Sequence, residues 1–220
     1  MSKNTTIALS VAGAIVVAIL IFIGVVVVQN QSQPAPTADP VSGLPATVRD
    51  DSHRLSEPEN SEATFVEFLD FECEVCGAVY PYVEELRAEY GDRVTFVMRY
   101  FPIPSHANSQ NAAVAVEAAA QQGQLEAMYQ RMFETQIEWG EKSESEAARF
   151  RTFAEELGLD MAKFDAAVAD PATLERVLSD FDEGRRLGVQ GTPTIFIDDV
   201  KIELTSIDDI RTALEAAIGE

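Results

Sequence analysis

The spacing of apolar residues along the chain changes in kind from one stretch to the next, and each kind predicts a different element. Ile7 to Val28, IALSVAGAIVVAILIFIGVVVV, is an apolar run of 22 residues without a charge. As a helix it would extend about 33 Å at ~1.5 Å per residue, enough to cross a hydrocarbon core of about 30 Å. A secretory signal has a core of ~7–15 apolar residues followed by a small-residue cleavage site, and Ala35-Pro36-Thr37-Ala38 fits such a site poorly. The pattern therefore predicts a transmembrane helix over 7–28 behind a short N terminus, 1–6. Residues 29–60 are rich in Gln, Pro, Ser, Thr and Ala with no periodicity. They read as a flexible tether that would hold a folded domain roughly 30 Å from the membrane, at ~5–6 Å times the square root of its length.

Residues 61–220 alternate between two periods. Ala63 to Leu69 is a β-rich, almost wholly apolar run, the signature of a buried strand. After it, Val79, Tyr82, Val83, Leu86 and Tyr90 recur at three- and four-residue steps and predict a helix from about Cys73 to Glu89, closed by Gly91. Pro81 lies inside that helix and is expected to kink it. A second strand follows over Val94–Tyr100. A helical block then occupies about 105–188, with breaks at Gly123, Gly140, Gly158, Asp170-Pro171 and Gly188. Thr194–Ile197 and Lys201–Leu204 predict a hairpin around Asp198-Asp199-Val200, and Ile207–Ile218 a closing amphipathic helix. The order is β-α-β, a helical block, then β-β-α, so the fold class is α/β.

Charge sharpens the division. Acidic residues outnumber basic ones 37 to 16, for a net charge of −21, and residues 4–38 hold no ionisable side chain. The acidity therefore belongs to the predicted domain, and it opposes nucleic acid as a partner. Lys3 and the terminal amine favour a cytoplasmic N terminus and an extracytoplasmic domain at the cell membrane.

Two cysteines, Cys73 and Cys76, exclude a multi-bridge disulfide scaffold. They sit three residues apart at a helix start, close enough to form a disulfide. The unpaired N–H groups and positive dipole end of the helix stabilise a thiolate at Cys73, so Cys73 is the expected nucleophile and Cys76 the resolving thiol. Alternatives are half a metal site, which would need His53 and His106 or carboxylates to complete it, and a pair of inert buried cysteines. Glu67, in the middle of an apolar strand, requires a partner or a proton. Asp70 and Glu72 read as exposed acids near the rim, and His106 as a structural residue that starts or braces the helical block.

Val66-Glu67-Phe68-Leu69-Asp70-Phe71-Glu72-Cys73-Glu74-Val75-Cys76-Gly77, with Pro81 downstream and Gly191-Thr192-Pro193-Thr194 far beyond it, resembles the DsbA-like branch of the thioredoxin superfamily. The resemblance extends over about 155 residues, and His106-Ala107-Asn108, Gln121-Gln122-Gly123 and Met132-Phe133 resemble the helical insertion of that branch. It implies a thioredoxin fold with a helical insertion, here preceded by the single transmembrane helix, and a membrane-anchored thiol-disulfide oxidoreductase. It further implies a cis Thr192–Pro193 bond placed against the two sulfurs, with the edge at Thr192 free to pair with an extended substrate. Glu67 would lie below the disulfide and relay the proton of the resolving thiol. Exported proteins with thiols would be the substrates, a membrane quinone-linked protein the redox partner, and the Cys73–Cys76 disulfide the only redox group, with no other cofactor and no metal. A reductase or isomerase fed by a membrane electron donor, or a thioredoxin-fold chaperone or adaptor without redox turnover, are the alternatives. Glu74 and Val75 between the cysteines depart from the strongly oxidising members and point to a less oxidising couple.

Overall fold

The computed structural model describes residues 46–220. The short N terminus, the span expected over 7–28 and the first part of the tether lie outside the described residues. Among the described residues no helix is long and apolar enough to cross a membrane.

Among the described residues the sheet has five strands: β1 (His53–Ser56), β2 (Ala63–Leu69), β3 (Val94–Tyr100), β4 (Thr194–Ile197) and β5 (Val200–Lys201). Their order is β1-β3-β2-β4-β5. β2 and β3 run parallel, which demands a crossover, and the helix α1 (Glu74–Tyr90) supplies it. β4 pairs antiparallel with β2, and β1 antiparallel with β3. Every residue of β3, and every residue of β2 but Thr64, is buried, as their near-continuous apolar sequences predicted. Alternation divides them between two faces. Phe65 and Phe96 pack with Val79, Val83 and Leu86 of α1 on one face. Val66, Phe68 and Val97 pack with Phe101, Val189 and Phe196 on the other.

The helical insertion comprises α2 (Ser109–Ala120), α3 (Leu125–Glu134), α4 (Gln136–Trp139), α5 (Ala147–Glu156), α6 (Met161–Ala169) and α7 (Pro171–Arg186). The Ala- and Val-rich α2 is buried along almost its whole length and forms the axis of this layer. Several of its boundaries were legible as single residues. Gly123 and Gly158 take left-handed φ of 73° and 75° after their helices. Asp170 caps α7 through a bond from the Ala172 N–H at 2.9 Å, with Pro171 in the first turn. α1 runs as one helix through Pro81. The closing helix α8 (Asp208–Ala217) buries Ile210 and Leu214 against the α1 face of the sheet.

Two expectations are corrected. Residues 46–60, assigned from sequence to the tether, belong to the fold: β1 covers the outer edge of β3, and the segment before it is fastened by charge. The Thr47 N–H bonds Asp199 at 3.0 Å, Arg49 bonds Asp51 and Glu183, and buried Arg99 reaches the Thr47 carbonyl at 2.6 Å. The hairpin is also tighter than expected. Its second strand is Val200–Lys201 only, and the turn is the two residues Asp198 and Asp199 at φ 48° and 65°. Positive φ at both turn positions matches the twist of an antiparallel pair, and Asp tolerates it better than most residues.

Candidate active site

The C-terminal end of β2 delivers the chain to the start of α1, and the two cysteines lie at that junction. Cys73 is the N-cap residue of α1 with an extended backbone, φ −67° and ψ 120°. Its N–H donates to the Asp70 carbonyl at 3.1 Å, and its own carbonyl accepts the Gly77 N–H at 3.0 Å, closing the first helical turn. The side chain therefore sits over N–H groups that have no partner inside the helix. Cys76, one turn on, is fully buried, whereas Cys73 keeps 6% of its surface exposed. Both are free thiols.

Electrostatics separate the two sulfurs. A hydrogen bond from Cys76 lowers the Cys73 thiol most, partial burial opposes, and the backbone N–H groups of Cys76 and Val75 lower it further, to about 6. Burial pushes Cys76 well above the ordinary thiol range, reinforced by Cys73 and by the charge of Glu67. Near neutrality Cys73 is therefore mostly thiolate and Cys76 a thiol.

Thr192 and Pro193 come from far along the chain, just before β4. Their peptide bond is cis, as the family resemblance implied. The Thr192 carbonyl accepts a bond from the Cys73 thiol at 3.4 Å. The Thr192 hydroxyl is buried without a hydrogen-bond partner among the described residues.

Glu67 sits at the centre of the sheet, opposite Met98 of β3 and Ile195 of β4, and is buried. Alternation along β2 puts it on the face that carries Phe65, beneath α1. Burial raises its carboxyl to about 8, with Cys73 and then Glu84 adding to the rise, so it holds a proton at neutral pH. Phe71, Tyr80, Tyr129 and Phe133 form an aromatic wall beside the site, with the Tyr80 and Phe133 rings stacked at 5.0 Å.

Asp70 and Glu72, expected at the surface, are each 1% exposed. Asp70 accepts from the Glu72 N–H at 2.9 Å, the Ile103 N–H at 3.0 Å and the His106 ring at 2.7 Å; Glu72 accepts from the Asn108 N–H at 2.6 Å. These acids lash the reactive loop to the start of the insertion. Acidic residues beside a rim carry no sequence signal of burial, because all but one of the donors that satisfy them, the Glu72 N–H, lie more than 30 residues away. His106 braces the insertion as expected. Burial opposes its charge, but Asp70 more than compensates and raises its basicity. His53 lies elsewhere, bonded to Glu117 at 2.6 Å. Glu74 and Val75 are exposed on the first turn. Sequence reasoning missed Gln136, whose side-chain amide donates to the carbonyls of Phe71 and Cys73 at 2.7 and 2.8 Å.

The thioredoxin family pattern matches residues 57–216 of this chain. The chain belongs to the thioredoxin family. A thioredoxin-like oxidoreductase from Silicibacter pomeroyi is 25% identical, with a TM-score of 0.65 over 78% of this chain and 95% of that one. Oxidised BdbD from Bacillus subtilis superposes with a TM-score of 0.67 at 21% identity, over 83% of this chain and all of that one. Wolbachia pipientis α-DsbA1 gives 0.65 at 18% identity, over 80% and 94%. The last two likenesses are of fold, a thioredoxin core with a helical insertion. Among curated proteins, a Na(+)/H(+) antiporter NhaA of Herminiimonas arsenicoxydans is 34% identical over 162 residues, which is 74% of this chain. The chain spans only about a quarter of that protein's length.

Proposed function

We propose that this chain is a thiol-disulfide oxidoreductase, that Cys73 and Cys76 are its redox couple, and that it forms or exchanges disulfides in exported proteins. The observation that supports this best is the opposition of the two sulfurs: one at the helix start and acidified to about 6, the other buried and held as a thiol. A dithiol built only for packing has no need of that difference.

In the oxidising direction, a substrate thiolate attacks Cys73 Sγ of the disulfide. The Cys73–Cys76 bond breaks, and Cys76 leaves as a thiolate that is protonated from Glu67. A second substrate thiolate then attacks the substrate sulfur of the mixed disulfide, and Cys73 leaves as the stabilised thiolate. Two electrons pass from substrate to enzyme, and the substrate gains one disulfide. An extended substrate segment pairs with the backbone edge at Thr192, whose following proline contributes no donor. No bound cofactor is needed, since the electrons reside on the two sulfurs.

The apolar run over 7–28 supports a single-pass anchor in the cell membrane, with the domain on the extracytoplasmic side. A membrane quinone-linked protein would be the oxidant that restores the disulfide. The acidity of Cys73, at about 6, lies between those of thioredoxin, ~7, and DsbA, ~3.5, and so supports a couple less oxidising than DsbA.

Trapping tests this function. In Cys76→Ser the mixed disulfide has no internal thiol to resolve it, so reduced protein incubated with an oxidised disulfide peptide should accumulate a covalent adduct at Cys73. Cys73→Ser should give none. Equal adduct from both variants, or none from either, would refute the assignment.

A further inference from the structure

Gln136 is an uncharged residue in a four-residue helix of the insertion, yet its side chain reaches the reactive loop. The NH2 end of its amide meets two backbone carbonyls, those of Phe71 at 2.7 Å and Cys73 at 2.8 Å. Two acceptors on one side fix the amide's orientation, because only the NH2 end can donate to both. The carbonyl end turns toward Gly77. A β-carbon there would lie 1.9 Å from Gln136 Oε1, so the glycine is the space in which the amide rests.

The far end of α4 is held firmly. Trp139 is fully buried, meets Phe150 edge-on at 4.8 Å and donates its indole N–H to the Met132 carbonyl at 3.3 Å. The Gly140 N–H closes the turn on the Gln136 carbonyl at 2.7 Å. By contrast, the adjoining Ile137 is 96% exposed. One residue of α4 thus enters the active loop, supported by an anchor in the insertion core.

The Cys73 carbonyl accepts from both Gln136 and the Gly77 N–H, so the amide acts on the N-cap residue itself. An N-cap residue has non-helical dihedrals, φ −67° and ψ 120° here, so the repeating bonds of the helix do not by themselves fix its backbone. The direction of the Cys73 side chain depends on that backbone. We propose that Gln136 is a positioning residue for disulfide exchange, tying the Phe71 and Cys73 carbonyls so that the reactive sulfur stays over the first turn of α1. Through it the insertion acts on the reactive cysteine. This role rests on the exchange reading given above for Cys73. The titratable groups that face the sulfur are Cys76 of α1, Glu67 of β2 and, beyond the loop, His106. Gln136 adds no charge to them and works by geometry and by the partial positive charge of its N–H groups.

The test is the pH midpoint of Cys73 thiolate formation, followed by ultraviolet absorbance of the reduced, folded protein. Gln136→Ala should raise the midpoint by about 0.5–1 in pH, as the sulfur loses its alignment with the helix N–H groups. Gly77→Ala should do the same by ejecting the amide, although alanine is the better helix former. The double variant should match either single one, since both remove a single interaction. Ile137→Ala should leave the midpoint unmoved. If Gln136→Ala does not fold, the comparison of Gly77→Ala with the wild type decides. A wild-type midpoint near 6 that neither substitution moves, or displacements that add in the double variant, would overturn the positioning role alone. A wild-type midpoint near ~8.5, the value of a free cysteine, would instead overturn the exchange reading.

Discussion

Glu67 poses the sharpest question at the scale of single residues, because a carboxyl at the centre of a sheet lowers stability whenever it is ionised. Its folded value of about 8 lies above the ordinary 4.5, so the native state binds the extra proton. For such a group the stability is fully present below about 4.5 and is lost as pH rises through 8. Glu67→Gln removes that loss. Its stability relative to wild type should improve from pH 5 to pH 9 by on the order of 4 kcal/mol, since each pH step between the two values contributes ~1.4 kcal/mol, as read by urea unfolding across pH. A constant difference over that range would mean that Glu67 is not held protonated. On the proposed mechanism, in which Glu67 protonates the leaving Cys76, the same substitution should slow release of that sulfur. Residue-scale chemistry was legible where sequence neighbours define it. A cysteine at a helix start and an acid within an apolar strand announce themselves. Asp70, Glu72 and Gln136 did not, because their meaning comes from Ile103, Asn108, Phe71 and Cys73, contacts made across loops that no local pattern records.

Elements tell a similar story with one instructive exception. Long periodic segments such as Ala63–Leu69 and Val94–Tyr100 appear as strands with those bounds, since both faces are buried and the composition follows. β1, four residues reading His-Arg-Leu-Ser, was hidden within a polar stretch. It exists because β3 offers an unpaired edge, and because the His53 ring packs edge-on against Tyr100 at 5.5 Å. Arg99 is the charge in β3 that sequence reading passed over while it singled out Glu67 in β2, although the signal was the same. It is fully buried, with Asp180 at 2.7 Å and Glu183 at 2.6 Å on α7. Breaking a buried pair costs more than the pair contributes, because the surviving charge stays behind. Arg99→Met should therefore destabilise the domain by about 3–5 kcal/mol in urea unfolding, despite the support Arg176 gives Asp180 at 2.8 Å. A loss below about 1 kcal/mol would show that this cluster does not hold α7 to the sheet.

At the scale of the whole molecule, the thioredoxin core and the insertion meet at the reactive loop. Asp70 and Glu72 bind the loop to the residues that open α2, and Gln136 binds it to α4. The α/β order and the insertion were readable from the change of period along the chain. How the insertion grips the loop was not, since it depends on three-dimensional closure. The central claim is that Cys73 and Cys76 form one reversible couple with an acidified attacking thiol. Equilibration of the purified domain with glutathione buffers of graded ratio, with quenched samples analysed for the intramolecular disulfide, measures it directly. A single two-electron transition is predicted, with a potential between about −270 mV, as in thioredoxin, and about −120 mV, as in DsbA. Failure to form a Cys73–Cys76 disulfide even in fully oxidised glutathione would contradict the account.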